Sequence, residues 1–218
     1  MTVSRTRVKV CGLMRAQDAR AAVRAGADAL GVILAPGHRR SLSVDEAVAV
    51  FADVPASVHR VGVFVDAPVS EVLEAVEALG LAEVQLHGSE DPGYCAAVPV
   101  AVVKTFRVGP GFDATDLERY RGAVAALLLD TLVSGVAGGS GRTFDWRSVL
   151  DLPRVAPVYV AGGLKPGNVE EVVRILRPAG VDVSSGVEHA PGIKSAGMMG
   201  EFVAAVRAAD EATMEGTA

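Results

Sequence analysis

Apolar residues follow two different spacings along the chain, and the two take turns. Short apolar runs recur at Val8–Cys11, Asp28–Leu34, His59–Val65, Glu83–His87, Val100–Thr105, Ala125–Asp130, Pro157–Ala161 and Val181–Ser184. Between them lie stretches with helical spacing. Val69, Val72, Leu73, Val76 and Leu79 form one stripe, and Val44, Ala47, Val48 and Phe51 form another behind Ser43 as N-cap. Val169, Val172, Val173 and Leu176 repeat the pattern ahead of Pro178. The short runs are continuously apolar rather than alternating, as parallel strands covered on both faces require. Strand and helix in regular succession predict βαβ units with right-handed crossovers.

Eight such units, with no Pro/Ser-rich linker between them, predict an α/β fold: a single-domain (β/α)8 barrel over residues 1–218. The barrel is expected over about 7–207, with a C-terminal tail over 208–218 that looks frayed from Asp210 to Ala218. An open doubly-wound sheet would carry a glycine fingerprint after its first strand, and Val10-Cys11-Gly12-Leu13-Met14 has none.

Composition narrows the class. Hydrophobic residues make up 50% and charged residues 22%, enough for a sizeable core and incompatible with disorder. A net charge of −5 offers no basic footprint for nucleic acid or for an anionic membrane. The two cysteines, Cys11 and Cys95, are too few for a disulfide framework, and no histidine pair has metal-ligand spacing. The N-terminus lacks the apolar segment of a signal peptide, and no run reaches the roughly 18 apolar residues of a spanning helix. A soluble cytoplasmic protein is expected, and nothing in the sequence separates a monomer from a homodimer.

Active sites of such barrels lie at the C-terminal ends of the strands. The polar residues that end the apolar runs are therefore the candidates. Cys11 reads either as a small buried hydrophobe or as a reactive thiol, while Cys95, inside a helical stretch, reads as packing. Asp130 follows six apolar residues and precedes a glycine-rich loop rather than a helix start, which favours a functional carboxylate over a cap; Thr143 or Asp145 is the better cap for the next helix. Gly162-Gly163 after the seventh run and Ser184-Ser185-Gly186 after the eighth fall where these barrels habitually bind phosphate, since glycines let backbone N–H groups approach an anion. Gly138-Gly139-Ser140-Gly141 fits a lid or a tight turn equally well. Arg39-Arg40 reads as a solvated pair or as a clamp for a substrate carboxylate, and His87 as a structural histidine or loop anchor.

These segments, taken together, resemble the phosphoribosylanthranilate isomerase family. The resemblance is carried by Lys9-Val10-Cys11-Gly12-Leu13, Arg60 to Val65, Val84-Gln85-Leu86-His87-Gly88, Leu128-Leu129-Asp130-Thr131, Gly138 to Trp146, Ala161-Gly162-Gly163-Leu164 and Val181 to Glu188. It covers residues 7 to about 207 in order. The second loop lacks the serine and the aromatic residue common in the family, and the match places the family's arginine at Arg40 rather than Arg39.

The resemblance implies a cofactor-free Amadori rearrangement of a phosphosugar substrate in tryptophan biosynthesis. It assigns the general acid to Asp130 and the general base to Cys11. Asp130 should then hold a proton near neutral pH, above the ordinary value of about 3.9, and Cys11 should become a thiolate from about 8.5, with Lys9 on the same strand face as a candidate neighbour. It further implies that Gly162, Gly163, Ser184, Ser185 and Gly186 hold the phosphate and that Arg40 takes the anthranilate carboxylate. Asp182 would bond a sugar hydroxyl, and His87 would support the mouth. Two alternatives remain at this stage. One is a related aminoaldose isomerase, such as one using the histidine-pathway substrate; the other is a non-catalytic phosphosugar-binding barrel.

Overall fold

A computed structural model describes residues 5–131 and 145–215. Eight parallel strands close into a barrel in sequence order: β1 (Arg7–Val10), β2 (Ala29–Ile33), β3 (His59–Phe64), β4 (Glu83–Leu86), β5 (Ala101–Val108), β6 (Ala126–Thr131), β7 (Val158–Val160) and β8 (Gly180–Val183). Each coincides with one of the eight apolar runs. β8 pairs back onto β1, with Lys9 opposite Asp182, so the first and last strands seal the barrel. The (β/α)8 architecture is therefore the one the sequence predicts.

Around the strands lie α1 (Ala16–Ala25), α2 (Val44–Phe51), α3 (Val69–Leu79), α4 (Pro92–Ala97), α5 (Val169–Leu176) and α6 (Ala196–Glu215). Ser43 caps α2 as expected, in a reciprocal box with Glu46. The return after β5 contains a 3₁₀ turn, Ala114–Tyr120, rather than an α-helix; among the described residues the return after β6 contains a 3₁₀ turn, Trp146–Val149, capped by Asp145. After β8 the chain makes a 3₁₀ turn (Ser185–Val187) and a small hairpin of β9 (Glu188–Ala190) and β10 (Ile193–Lys194) before α6.

The C-terminal end departs from expectation. Instead of fraying from Asp210, α6 continues as far as Glu215. The physical reason is a partner 204 residues away: Asp210 accepts from the Thr6 backbone N–H at 3.0 Å and from its hydroxyl at 2.6 Å. Arg207 adds a bond to the Thr6 carbonyl at 2.6 Å. These bonds fasten α6 across the N-terminal end of the barrel.

The main core fills the layer between strands and helices, where Leu30, Leu86, Val172 and Phe202 are fully buried. Burial of each such side chain stabilises by about 1.5–3 kcal/mol. Inside the barrel, two smaller apolar clusters form. Val103, Ala126, Leu128, Tyr159 and Ala161 make one, and Cys11, Ile33, Ala35 and Val63 the other. The interior also buries Lys9, Gln85 and Asp182, and these polar residues lead up to the mouth.

Candidate active site

At the C-terminal mouth one cavity is lined by Cys11, Arg40, Gln85, His87, Asp130, Gly162, Gly163, Asp182, Ser184, Ser185 and Gly186. Every residue to which the family resemblance gives a catalytic or binding role is among them. Strand geometry explains the convergence, because side chains two apart on a strand share a face. Lys9 on β1, Gln85 on β4 and Asp182 on β8 point inward by this rule, and Cys11, His87 and Ser184, just past the ends of those strands, line the same cavity.

Cys11 is 6% exposed, and its N–H donates to Val183 O at 2.8 Å, which fixes it beside β8. Lys9 Nζ donates to Asp182 Oδ2 at 2.8 Å, and both side chains are buried. Burial opposes the ammonium charge, but Asp182, and then Cys11, hold the Lys9 pKa above the ordinary lysine range. The expected cation is therefore beside the thiol. Its effect is offset: burial pushes the Cys11 pKa up, Lys9 pulls it down, and the Asp182 charge pushes it up again. A β-carbon on Gly31 would lie 3.1 Å from Cys11 Sγ and 3.3 Å from Lys9 Nζ, so the bare backbone of β2 makes room for this pair.

Asp130 ends β6 across the mouth. Its Oδ1 accepts from the Thr131 N–H at 2.8 Å, and its Oδ2 lies 3.4 Å from His87 Nε2. Gln85 Nε2 lies 3.3 Å from His87 Nδ1. Gln85, His87 and Asp130 thus form a short line, and His87 is more than an isolated mouth residue.

The two glycine loops are shaped by close backbone approach. Gly162 (φ +83°) and Gly163 (φ +68°) adopt conformations that favour glycine. A β-carbon at Gly162 would meet Thr131 Oγ1 at 2.3 Å and Asp130 Oδ1 at 2.6 Å. One at Gly186 would stand 1.8 Å from the Leu164 carbonyl oxygen, so the loops after β7 and β8 touch through that glycine. The glycine-rich segment Gly138-Gly139-Ser140-Gly141-Arg142 and the alternative cap Thr143 lie outside the described residues.

The second loop separates its two arginines. Arg39 is exposed, whereas Arg40 is 2% exposed and faces the cavity. Arg40 has a partner that no sequence pattern indicates: its Nε and Nη2 donate to Glu188 at 2.6 and 2.7 Å. Lys194 Nζ donates to the same carboxylate at 3.0 Å and to the Ser184 carbonyl at 3.0 Å. Burial disfavours the Glu188 charge, but Arg40 and Lys194 together hold its pKa below the ordinary glutamate value. Glu188 is 148 residues from Arg40, too far for any local pattern to announce the pair. The three groups leave a surplus positive charge beside the Ser184-Ser185-Gly186 loop.

No group of three or more His, Cys, Asp or Glu among the described residues is arranged to hold a metal. A buried thiol and a carboxylate face one cavity, flanked by an arginine and two glycine-shaped loops. That arrangement defines a barrel enzyme equipped for proton transfer on a small anionic molecule.

The family model described as N-(5'phosphoribosyl)anthranilate (PRA) isomerase matches residues 8–205. An N-(5'-phosphoribosyl)anthranilate isomerase of Pseudomonas putida (strain W619) is 42% identical over 207 residues, covering 95% of this chain and all of that one. The crystal structure of phosphoribosyl anthranilate isomerase from Thermotoga maritima superposes with a TM-score of 0.86 at 34% identity, covering 93% of this chain and 99% of that one. A structure of such an isomerase in complex with reduced 1-(o-carboxyphenylamino)-1-deoxyribulose 5-phosphate gives a TM-score of 0.83 at 34% identity, with the same coverage. The chain belongs to the N-(5'-phosphoribosyl)anthranilate isomerase family. Neither alternative left by the sequence is favoured.

Proposed function

We propose that the protein converts N-(5-phosphoribosyl)anthranilate to 1-(2-carboxyphenylamino)-1-deoxyribulose 5-phosphate, a step of tryptophan biosynthesis, and does so without a cofactor. The observation that carries this reading is that Cys11, Asp130, Arg40 and both glycine loops line a single cavity in a chain of this family.

The reaction is an internal redox shift in which atoms balance. Asp130 protonates the furanose ring oxygen, the C1–O bond breaks, and the anilino nitrogen lone pair forms a Schiff base. Cys11, as thiolate, then removes the proton from C2 to give an enolamine, which tautomerises to the ketone. Each positioned proton transfer contributes about 10²- to 10⁴-fold. Lys9 is the cation that favours the thiolate, and engagement of Asp182 by substrate turns more of the Lys9 charge toward sulfur. The loops at Gly162-Gly163 and Ser184-Ser185-Gly186 hold the phosphate. Arg40, oriented by Glu188 along its Nε–Nη2 edge, offers its remaining donors to the anthranilate carboxylate. No helix among the described residues is long and apolar enough to cross a membrane, in keeping with work on a small polar metabolite in the cytoplasm.

The test is spectrofluorimetric. Purified protein should quench the fluorescence of N-(5-phosphoribosyl)anthranilate with saturable kinetics, and the histidine-pathway aminoaldose run in parallel should turn over far more slowly. Absence of turnover of the anthranilate substrate, or preference for the other aminoaldose, would overturn the reading.

A further inference from the structure

Lys194 stands behind the mouth, not in it. Its side chain is 0% exposed and forms no part of the cavity wall, so the ammonium does not touch a bound molecule. Burying such a charge is costly unless its donors are well placed. Burial lowers the Lys194 pKa, and Glu188, accepting from Nζ at 3.0 Å, is the main group that pulls it back. The remaining contacts go to a single residue. Nζ donates to the Ser184 carbonyl at 3.0 Å and reaches the Ser184 hydroxyl at 3.4 Å, so all three donors of the ammonium are used. The lysine is fixed through its backbone as well. Its N–H donates to Asp18 Oδ2 at 3.1 Å, and Arg15 grips the same carboxylate at 2.8 and 3.0 Å. A cation anchored at both ends is therefore aimed at one peptide group.

That peptide group lies where β8 opens into Ser184-Ser185-Gly186. Ser184 is neither extended nor helical (φ −125°, ψ −86°), and its ψ decides which way the next peptide faces. In a planar trans peptide the carbonyl and the following N–H point in opposite directions. With the Ser184 carbonyl turned back onto Lys194, the Ser185 N–H is turned away from it, and Ser185 lines the cavity. We propose that Lys194 is a positioning residue for the phosphate end of the site: it holds the Ser184 carbonyl from behind, so that the Ser185 N–H meets the substrate phosphate, and its charge favours the anion there. The proposal rests on the phosphoribosyl reading above and deepens it. Sequence spacing does not announce this role, because Lys194 is brought under the loop only by the β9–β10 hairpin.

Two inhibitors, one for each end of the substrate, test this. Wild-type protein and Lys194→Met, which keeps most of the side-chain length and loses the ammonium, are each titrated during turnover with inorganic phosphate and with anthranilate. Lys194→Met should weaken inhibition by phosphate about 10- to 100-fold and leave inhibition by anthranilate within about 2-fold, because Arg40 keeps both its bonds to Glu188. On the full substrate the loss should fall on KM rather than kcat, and a loss confined to kcat would overturn the proposal. Equal weakening of both inhibitors would overturn it too, since Lys194 would then act only through the fold or through Glu188. So would unchanged inhibition by phosphate. If the variant fails to fold, an NMR titration of wild type decides: the Ser185 amide should shift on addition of phosphate and not of anthranilate, and an unmoved amide overturns the proposal. Wild-type turnover without a Lys194 effect refutes only this inference, whereas no wild-type turnover refutes the functional reading itself.

Discussion

The two ends of the barrel are both rich in charge, but they use it in opposite ways. At the N-terminal end, Asp28 accepts from Arg5 at 2.5 and 3.1 Å, from the Val8 N–H at 2.8 Å and from Arg207 at 3.1 Å. Nearby, Arg7 bridges Glu83 at 2.8 Å and Tyr159 Oη at 2.7 Å, and Glu83 also pairs with His59. No group in these networks is among the buried side-chain atoms left without a partner. At the C-terminal end, Gln85 Oε1, Thr105 Oγ1 and Asp182 Oδ1 have none, and Thr105 borders a second cleft beside His87. Saturated polar networks hold a barrel shut, while unsaturated ones wait for something to bind. The difference lies in how far the hydrogen-bonding capacity of each end is already used, although both ends are rich in polar side chains.

The comparison breaks most sharply through substitutions at the mouth. Cys11→Ser and Asp130→Asn should each lower kcat by at least about 10²-fold while the melting temperature stays near wild type. Near-normal turnover in either variant removes that residue from the mechanism. Arg40→Ala should act mainly on KM, with about 10- to 150-fold lost in kcat/KM for a charge-assisted bidentate pair. Because Arg40 also covers Glu188, this variant should lose stability too, whereas exposed Arg39→Ala should change neither. A larger penalty for Arg39→Ala would reverse the assignment within the second loop.

The opposite end should respond in stability alone. Asp28→Asn should cost about 1.5–3 kcal/mol in urea unfolding with kcat/KM unchanged. Burial works against the Asp28 charge, but the Val8 N–H, Arg5 and Arg207 hold its pKa below the ordinary aspartate value. Its contribution is therefore present above the unfolded value of about 3.9 and is lost as pH falls through the lower folded value. Wild-type stability should drop over that acid range, and the slope should be shallower in Asp28→Asn. The smallest effect belongs to Cys95→Ser. Its thiol, pushed up to about 11 by burial, is 1% exposed and packs in the main core, so stability should fall slightly while kcat is unchanged.

The eight strands were legible because a parallel barrel strand is a local signal, a short apolar run with polar residues where it meets solvent. The same logic drew attention to Cys11 and Asp130, which are conspicuous as polar residues at the ends of apolar runs. What stayed hidden depends on partners distant in sequence. Nothing around Asp210 announces a helix held by Thr6, so α6 outruns its expected end. Glu188 and Lys194 look like ordinary surface charges until the hairpin folds them beneath Arg40. Lys9 was placed correctly by strand alternation, but its commitment to Asp182 comes from the register of β1 against β8. That register is a property of closure, not of either segment.

This closure has a consequence for synthesis. Lys9 is made 173 residues before Asp182, so on the ribosome the ammonium must remain in water until that partner has been synthesised. A nascent chain stalled before β8 emerges has no counter-ion for Lys9 and lacks the strand whose Val183 carbonyl holds the Cys11 N–H. Turnover should therefore appear only when the eighth strand clears the exit tunnel. Activity measured on arrested chains of increasing length would mark the moment when the newest segment docks against the oldest.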